Sequence, residues 1–181
     1  TFDVQWDEFS FNRNVSNQEV FSRQKSTYLD MQAGMNFTYY NDNNLYFKIS
    51  AGALHINQPV ETFYGASNRK GLRPIGHLEL VYKASDGVSI NPSVYYTREK
   101  KASELVMGSL FNINTGGGTS ILSVQIILGA FYRNKDAVIA AAGYQYHNTR
   151  FLFSYDHTIS QMSQGNNGMG AFELSLITVG N

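Results

Sequence analysis

The chain of 181 residues contains no cysteine, three prolines and one tryptophan. The absence of cysteine excludes a disulfide framework and any thiol chemistry. Charged residues make up 15% of the chain, well below the share of about 25% in typical globular domains. The formal net charge is zero, which argues against nucleic acid as the main partner. No apolar run approaches the roughly 18 residues that suggest a transmembrane helix.

Aromatic residues and glycine are abundant instead, with 12 Tyr, 12 Phe and 16 Gly. The length suffices for one domain. The composition is typical of an aromatic-rich β protein, either a transmembrane barrel or a soluble sandwich. The residues after Thr1 lack the basic and then apolar pattern of a signal peptide. We therefore expect a mature chain, or one truncated at its start.

Three strand-like segments between residues 120 and 160 carry the clearest pattern. They are Ser120–Arg133, Asp136–Tyr146 and Arg150–Tyr155, the last running on to Ser160. In the first segment every second residue from Leu122 to Tyr132 is apolar, whereas the residues between them are mixed. A period of two with one apolar face indicates a strand whose faces meet different surroundings. At about ten to fourteen residues, these segments are long enough to cross a bilayer as tilted β-strands.

The same alternation predicts six further strands, which gives nine long antiparallel strands in all. The six are Tyr28–Tyr40, Leu45–His55, Arg73–Ala84, Val88–Thr97, Ser103–Asn114 and Ala171–Val179. Short turns such as Asn41–Asn44, Ser85–Gly87 and Thr115–Gly118 alternate with longer connections, as in a barrel whose tight turns lie at one membrane face. Pro92 within its strand predicts an edge, a bulge or a strand start.

The predicted fold class is an all-β, antiparallel transmembrane β-barrel that forms a single domain over residues 1–181. Bacterial single-chain barrels have an even number of strands. Together with a short alternating piece at Phe2–Trp6, the nine strands either close a barrel of about ten strands or form part of a larger barrel whose first strands are missing.

Polar residues on the second face of these strands would point into a barrel lumen. The candidates are Asp30, Gln32, Asn36, Lys48, Ser50, His77, Glu79, Lys83, Ser89, Asn91, Ser93, Ser123, Gln125, Arg133, Arg150, Ser154, Asp156, Glu173 and Ser175. Both charge signs occur among them, and facing charges would pair because an unpaired buried charge is costly. This favours a plugged, salt-bridged interior, with a selective pore as the alternative. Arg133, Asp156 and Glu173 are predicted to form an inward charged cluster, either a salt-bridge network or a binding site.

Nine tyrosines lie near strand ends, where a ring with one apolar and one wet end suits a membrane interface. They are Tyr39, Tyr40, Tyr46, Tyr95, Tyr96, Tyr132, Tyr144, Tyr146 and Tyr155. In a barrel they would form aromatic girdles. In a soluble sandwich the same tyrosines would cap the core.

No catalytic, metal or cofactor site is predicted. The four histidines, His55, His77, His147 and His157, have no metal-ligand spacing. Asp156 and His157 are adjacent on one strand and would point to opposite faces, so they cannot form a local relay with Ser154. A triad assembled across strands, as in an outer-membrane lipase, is the enzymatic alternative. Residues 116–118 are three glycines without the Lys-Ser/Thr or helix of a phosphate loop.

Several short motifs in the second half of the chain resemble the PorP/SprF family of membrane proteins of the type IX secretion system. They are Gly129-Ala-Phe-Tyr-Arg133, Asp136-Ala-Val-Ile139, Gly143-Tyr-Gln-Tyr146, Phe153-Ser-Tyr-Asp156 and Gly170-Ala-Phe-Glu-Leu-Ser-Leu176. Upstream, Leu54-His55 with Pro59 and Phe63 is similar to the His-Leu/Pro/Phe segment of the family, with the pair reversed. Asn91-Pro92-Ser93 is similar to its Pro-Ser strand. The resemblance covers most of the chain, as the C-terminal two thirds of a longer family barrel.

The resemblance implies an outer-membrane β-barrel that serves secretion or surface attachment of cargo such as gliding adhesins. It implies no enzyme activity and no cofactor. The implied partners are outer-membrane lipid, secretion-system lipoproteins and the C-terminal domain of a secreted surface protein. Long loops at Asn12–Thr27, Ile56–Leu72 and Gln161–Gly170, with a sheet edge, would be the working surfaces. A small-solute pore, a soluble β-sandwich that binds carbohydrate or protein, and a lipase are the alternatives.

Overall fold

The computed structural model describes residues 5–7, 10–15, 25–41, 44–62, 68–116, 124–161, 163–166 and 168–180. Eleven strands and one helical turn lie in these ranges. The strands are β1 (Trp6–Asp7), β2 (Ser10–Phe11), β3 (Ala33–Asn41), β4 (Leu45–Leu54), β5 (Arg73–Ser85), β6 (Val88–Glu99), β7 (Ala102–Asn114), β8 (Val124–Arg133), β9 (Ala137–Tyr146), β10 (Thr149–Thr158) and β11 (Phe172–Thr178). The helical turn, α1 (Ser163–Asn166), lies between β10 and β11. No helix within these ranges is long and apolar enough to span a membrane.

Strands β3 to β11 form one antiparallel sheet in which every strand pairs with its neighbours in sequence. The short strands β1 and β2 form a separate hairpin, with Trp6 opposite Phe11. The nine predicted long strands are therefore confirmed, as is the all-β antiparallel class. In the described part of the chain β3 and β11 are the two edge strands of the sheet and do not pair with each other, so the sheet is open.

The two faces of the sheet differ in chemistry and in burial. We call the face that carries Ile127 of β8 the inner face and the opposite one the outer face. Ile127 is fully buried, and Ala141 and Ala137 of the neighbouring strand are buried on the same face, further towards the other end of the pair. No second sheet or helix layer packs on this face in the described part of the chain. The inner face is therefore the more buried face of the sheet, since the large exposed apolar side chains of the central strands lie on the opposite face.

Small residues line the inner face where strands approach closely. A Cβ atom added at Gly108 of β7 would overlap the carbonyl oxygen of Ala130 and the ring of Phe131. A Cβ atom at Gly143 of β9 would overlap the backbone of Phe151 and Leu152. Only glycine fits beside these backbone atoms. Glycine otherwise weakens a strand interior, and its presence here marks the close approach of a neighbouring backbone. The inner face thus combines small residues with Phe131 folded over them.

The predicted lumen residues that lie in strands of the sheet are all on the inner face. The register shows this directly, because Asn36, Ser50 and His77 are aligned across three neighbouring strands. Asp30 and Gln32 precede β3 and are in no strand, and Ser123 is outside the described residues. Buried Asn112 donates hydrogen bonds to Ser89 Oγ (3.3 Å) and Asn91 Oδ1 (3.0 Å). The inner face therefore holds hydrogen-bonded polar groups as well as small apolar ones.

The two ends of the sheet carry different connections. One end, the loop rim, holds the β4–β5 loop (55–72), the β6–β7 turn (100–101), the β8–β9 turn (134–136) and the β10–β11 loop (159–171). The other end, the turn rim, holds the β3–β4 turn (42–44), the β5–β6 turn (86–87), the β7–β8 connection (115–123) and the β9–β10 turn (147–148). A strict alternation of short and long connections was predicted and is wrong, because two tight turns lie at the loop rim.

Two local predictions also need correction. Strand β3 begins at Ala33, later than the predicted Tyr28, because residues before it bond to the β4–β5 loop instead of a neighbouring strand. Pro92 lies inside β6, a strand paired on both sides, and is neither at a sheet edge nor at a strand start. The predicted bulge is not at Pro92 either, because the register shift of the β5–β6 pair lies between Lys83 and Ser85. The β5–β6 pairing is interrupted between Glu79–Ser93 and Tyr82–Ile90. Proline has no N–H to donate, so the sheet accommodates it by leaving this gap. The predicted turn Thr115–Gly118 lies partly outside the described residues.

Candidate functional site

A cluster of charged side chains lies on the inner face at the loop rim, around Arg133 at the end of β8. Its Nη2 atom lies 2.7 Å from Oδ2 of Asp156, and its Nη1 atom lies 3.0 Å from Oδ2 of Asp136. Its Nε atom lies 3.5 Å from Oε1 of Glu104 and makes no hydrogen bond there. Asp156 is the most shielded of the three carboxylates, with a side chain 17% exposed. The Arg133–Asp156 contact is therefore the centre of the cluster.

Strand β9 separates these two residues and its small side chains let them meet. Arg133 is opposite Ala137, and Asp156 is opposite Ile139, two residues further along β9 on the same face. Next-but-one strands lie about 10 Å apart, a distance that a long arginine side chain can bridge above an alanine. Ala137 is 1% exposed, and its short side chain leaves room for the guanidinium group to cross above it.

The backbone around the cluster is also cross-linked by hydrogen bonds. The Asp136 carbonyl oxygen accepts from the backbone N–H of Ile159 (2.7 Å) and Ser160 (3.1 Å), which joins the β8–β9 turn to the β10–β11 loop. The backbone N–H of Asp156 donates to the Ala171 carbonyl (2.9 Å), and a Cβ atom at Gly170 would overlap the Asp156 carbonyl group. Strands β7 to β10 and the loop before β11 are thus tied together at one point.

Glu173, the third predicted member, does not contact Arg133. It lies on the inner face of β11 opposite Ser154, and its carboxylate accepts a hydrogen bond from Ser175 Oγ at 3.0 Å. The alternation of side chains predicts the face of Glu173 correctly. It does not predict which residue of the neighbouring strand lies opposite Glu173, which is Ser154 and not Asp156. Glu104 and Asp136 take the place predicted for it. Asp136 could have been found from the sequence, because an aspartate three residues after Arg133 in a tight turn is within reach of it.

The geometry of the cluster is that of a structural contact. Both terminal nitrogens of the guanidinium group already bind carboxylates, so no donor pair is free for a bidentate anion. His157 points to the outer face, opposite to Asp156, and cannot relay a proton from it. In the described part of the chain no group of three His, Asp or Glu side chains could hold a metal ion.

A second set of contacts orders the loop rim on the β3 side. Asn57 of the β4–β5 loop donates from Nδ2 to the Leu29 carbonyl (2.7 Å) and accepts from the Met31 N–H (3.1 Å). His55 Nδ1 lies 2.7 Å from Asp30 Oδ2. We call these contacts the Asn57 clamp, because they hold the segment 28–32 against the β4–β5 loop.

Lys70 adds a further contact between the same two segments. Its Nζ donates to the Tyr28 hydroxyl at 2.5 Å, lies 3.3 Å from Glu61 Oε2, and is 4.6 Å from the centre of the Tyr28 ring. The hydrogen bond to Tyr28, followed by the contacts with Glu61, raises the pKa of Lys70 above its ordinary value although partial desolvation opposes the shift. Lys70 therefore stays charged throughout the physiological range.

The outer face is the third candidate surface, and large apolar side chains dominate it. Examples are Phe37 (61% exposed), Leu128 (47%) and Leu174 (73%). Tyrosines stand at both ends of this face. Those towards the loop rim are Tyr96, Tyr132 and Tyr155, and those towards the turn rim are Tyr39, Tyr82, Tyr144 and Tyr146. Tyr40, Tyr46 and Tyr95, also predicted for a girdle, lie on the inner face.

These features define an all-antiparallel β protein with an uncovered apolar face between two rows of tyrosine. The family model described as type IX secretion system membrane protein PorP/SprF matches residues 1–177. The chain belongs to this family, and the resemblance drawn from its motifs is confirmed. It is a membrane component of the type IX secretion system, with the bacterial outer membrane as its location and other components of that system as partners. The family description names no enzyme class. No curated protein and no solved structure matches the chain.

Proposed function

We propose that the chain forms the wall of an outer-membrane β-barrel that assists secretion or surface attachment of cargo, such as gliding adhesins. The observation that carries the proposal is the outer face, apolar in its middle and bordered by tyrosines at both ends. From Val124 to Tyr132 this face of β8 extends about 27 Å. That length suits a tilted strand in the apolar band of roughly 25 Å on barrel proteins.

The proposal treats residues 1–181 as part of one barrel domain. A sheet with a buried inner face and two edge strands, β3 and β11, closes when further strands join these edges. Closure removes the exposed backbone groups of both edges, which hydrocarbon cannot satisfy. A soluble sandwich fits less well, because its second layer would have to cover the outer face, and the described residues form only one large sheet.

The proposed orientation places the loop rim outside the cell and the turn rim in the periplasm, because barrels carry short turns on the periplasmic side. The β4–β5 and β10–β11 loops then form the surface for the C-terminal domain of the cargo, and the turn rim meets periplasmic lipoproteins. Arg133 and Asp156 lie at the base of the β10–β11 loop and support it, with Glu173 on the neighbouring strand, and the Asn57 clamp orders the β4–β5 loop. The protein acts by binding and has no catalytic role.

Site-specific photo-cross-linking in the producing bacterium tests this proposal. A photoreactive residue at Gln161 on the loop rim should capture secreted surface protein, and one at Asp86 on the turn rim should capture secretion-system lipoproteins. Both positions are exposed, so they are matched in accessibility. Cross-links to neither class, with loss of the protein into buffer without detergent, would contradict the proposal. A steady single-channel conductance of the purified protein would favour the small-solute pore instead.

A further inference from the structure

Four cationic side chains stand at the loop rim, just beyond the tyrosines of the outer face. They are Arg98 at the end of β6, Lys100 and Lys101 in the β6–β7 turn, and Lys135 in the β8–β9 turn, and we call them the basic band. All four are exposed. None of them forms an ion pair with a carboxylate in the described part of the chain.

The position of the basic band follows from the strand register. Arg98 shares the outer face with Tyr96, two residues before it, which places its Cα about 7 Å further along the strand. The hydroxyl of Tyr132 accepts a hydrogen bond from the backbone N–H of Lys135 at 3.0 Å. Arg98 thus follows one tyrosine of the outer face along its strand, and Lys135 is hydrogen-bonded to another.

The neighbouring acidic groups form no ion pair with the band in the described part of the chain. Glu99 and Glu104 lie on the inner face with Thr97, and Asp136 and Asp156 are bound to Arg133. These carboxylates leave the four cations of the band without an ion-pair partner in the described part of the chain, although Glu99 and Lys100 both lie against Gly71. At the turn rim, by contrast, Lys83 Nζ is paired with Asp86 at 3.1 Å.

Both turns that carry the band are tight. Lys100 (φ 51°) and Lys135 (φ 60°) both have left-handed backbone, which closes their turns tightly. Arg98 Nε donates to the Lys100 carbonyl at 3.2 Å. The aliphatic stem of Lys100 lies against Gly71, because a Cβ atom there would come within 2.8 Å of Lys100 Cγ.

We propose that the basic band binds the phosphate groups of the glycolipid in the outer leaflet of the outer membrane. In a membrane barrel, cations that lie just outside the row of interfacial tyrosines are at the level of the lipid headgroups. The inference rests on the barrel orientation proposed above, which puts the loop rim in that leaflet. Phosphate is the anion chemistry that lysine and arginine both bind well, and a glycolipid with two phosphates can engage two members of the band at once.

The test is lipid retention by the purified full-length protein, measured by native mass spectrometry after exchange into neutral detergent. The probes are diphosphoryl lipid A, phosphatidylglycerol and phosphatidylcholine at equal concentrations. We expect the wild-type protein to retain lipid A most strongly. Each cation near an anionic lipid surface contributes roughly a fivefold gain in affinity, so Lys100→Gln/Lys101→Gln/Lys135→Gln should lose roughly a hundredfold. Lys83→Gln at the turn rim is the control and should retain lipid A like the wild type.

Several outcomes would overturn the inference. Equal retention of lipid A by the triple variant and the wild type would show that the band does not bind it. Preference for phosphatidylglycerol over lipid A would assign the band to a phospholipid of the other leaflet. Loss of a cross-link to an acidic protein segment, with lipid retention unchanged, would assign it to a protein partner. Protection of each variant from protease in phosphatidylcholine vesicles is measured separately, because failure there would contradict the barrel and not the lipid site.

Discussion

Arg133 Nη2 lies 2.7 Å from Asp156 Oδ2, and this contact joins β8 to β10 across β9 on the inner face. Arg133→Ala should lower the free energy of unfolding by about 2–3 kcal/mol, because it leaves Glu104, Asp136 and Asp156 without their shared cation in a half-buried place. Urea titration of the protein folded in phosphatidylcholine vesicles measures this loss. Asp156→Ala should cost less, since two carboxylates remain on Arg133.

Glu173→Ala is the control for this prediction. Glu173 lies on the same face but is exposed, and its carboxylate accepts a hydrogen bond from Ser175. Glu173→Ala should therefore change the free energy of unfolding by no more than about 0.5 kcal/mol. A double-mutant cycle of Arg133→Ala and Asp156→Ala should give a coupling energy of about 1–2 kcal/mol. Simple additivity of the two single variants would contradict a direct contact.

The close strand approach at Gly108 leads to a second prediction. Gly108→Ala should lower the free energy of unfolding by about 2 kcal/mol or more, because the new methyl group meets the Ala130 backbone, which cannot move aside. Gly76→Ala on β5 is the matched control, since an added Cβ atom there meets nothing within 4 Å. It should be neutral or slightly stabilising. The same urea titration measures both variants, and equal stability of the two would be inconsistent with the close approach of β7 and β8 at Gly108.

The strands were predictable because their signal is local. From β4 to β10 apolar residues recur at every second position on one face, and Asn or Asp-Gly residues mark turns such as 86–87. The start of β3 was not predictable, because its cause is the distant Asn57, which binds the backbone of Leu29 and Met31. The gap at Pro92 depends on the partner strand, so sequence within β6 could not distinguish it from an edge.

The charged cluster was predictable only in part, for a similar reason. Alternation assigns a side chain to a face, and it put Arg133, Asp156 and Glu173 together on the inner one. Which residues of two strands lie opposite each other depends on the register between the strands. For β10 and β11 that register follows from the path of the loop 159–171, which cannot be read from the length of the loop. Glu104 was missed because its approach to Arg133 needs the β7–β8 register, in which Val106 is the residue opposite Arg133.

The Asn57 clamp gives a third prediction. Asn57→Ala removes two hydrogen bonds to the segment 28–32, each worth about 1 kcal/mol, so trypsin cleavage after exposed Lys25 should become roughly five to thirty times faster. Mass spectrometry of the released fragment gives the rate. Gln58→Asn is the control, because asparagine tolerates the left-handed backbone at that position (φ 43°). A cleavage rate unchanged by Asn57→Ala would mean that the clamp does not hold this segment.

The outer face gives the fourth prediction, which separates a membrane barrel from a soluble sheet. Leu128 lies near the middle of β8 and is 47% exposed. In a barrel, Leu128→Lys puts a charge at the depth of the hydrocarbon and should cost roughly 2–4 kcal/mol, whereas Tyr132→Lys at the border should cost roughly 0–1 kcal/mol. Gln125→Lys on the inner face controls for the charge itself. Unfolding in vesicles gives all three values. If Leu128→Lys were as stable as Gln125→Lys, then water and not lipid would cover this face, since an exposed leucine of a soluble protein accepts lysine with little change.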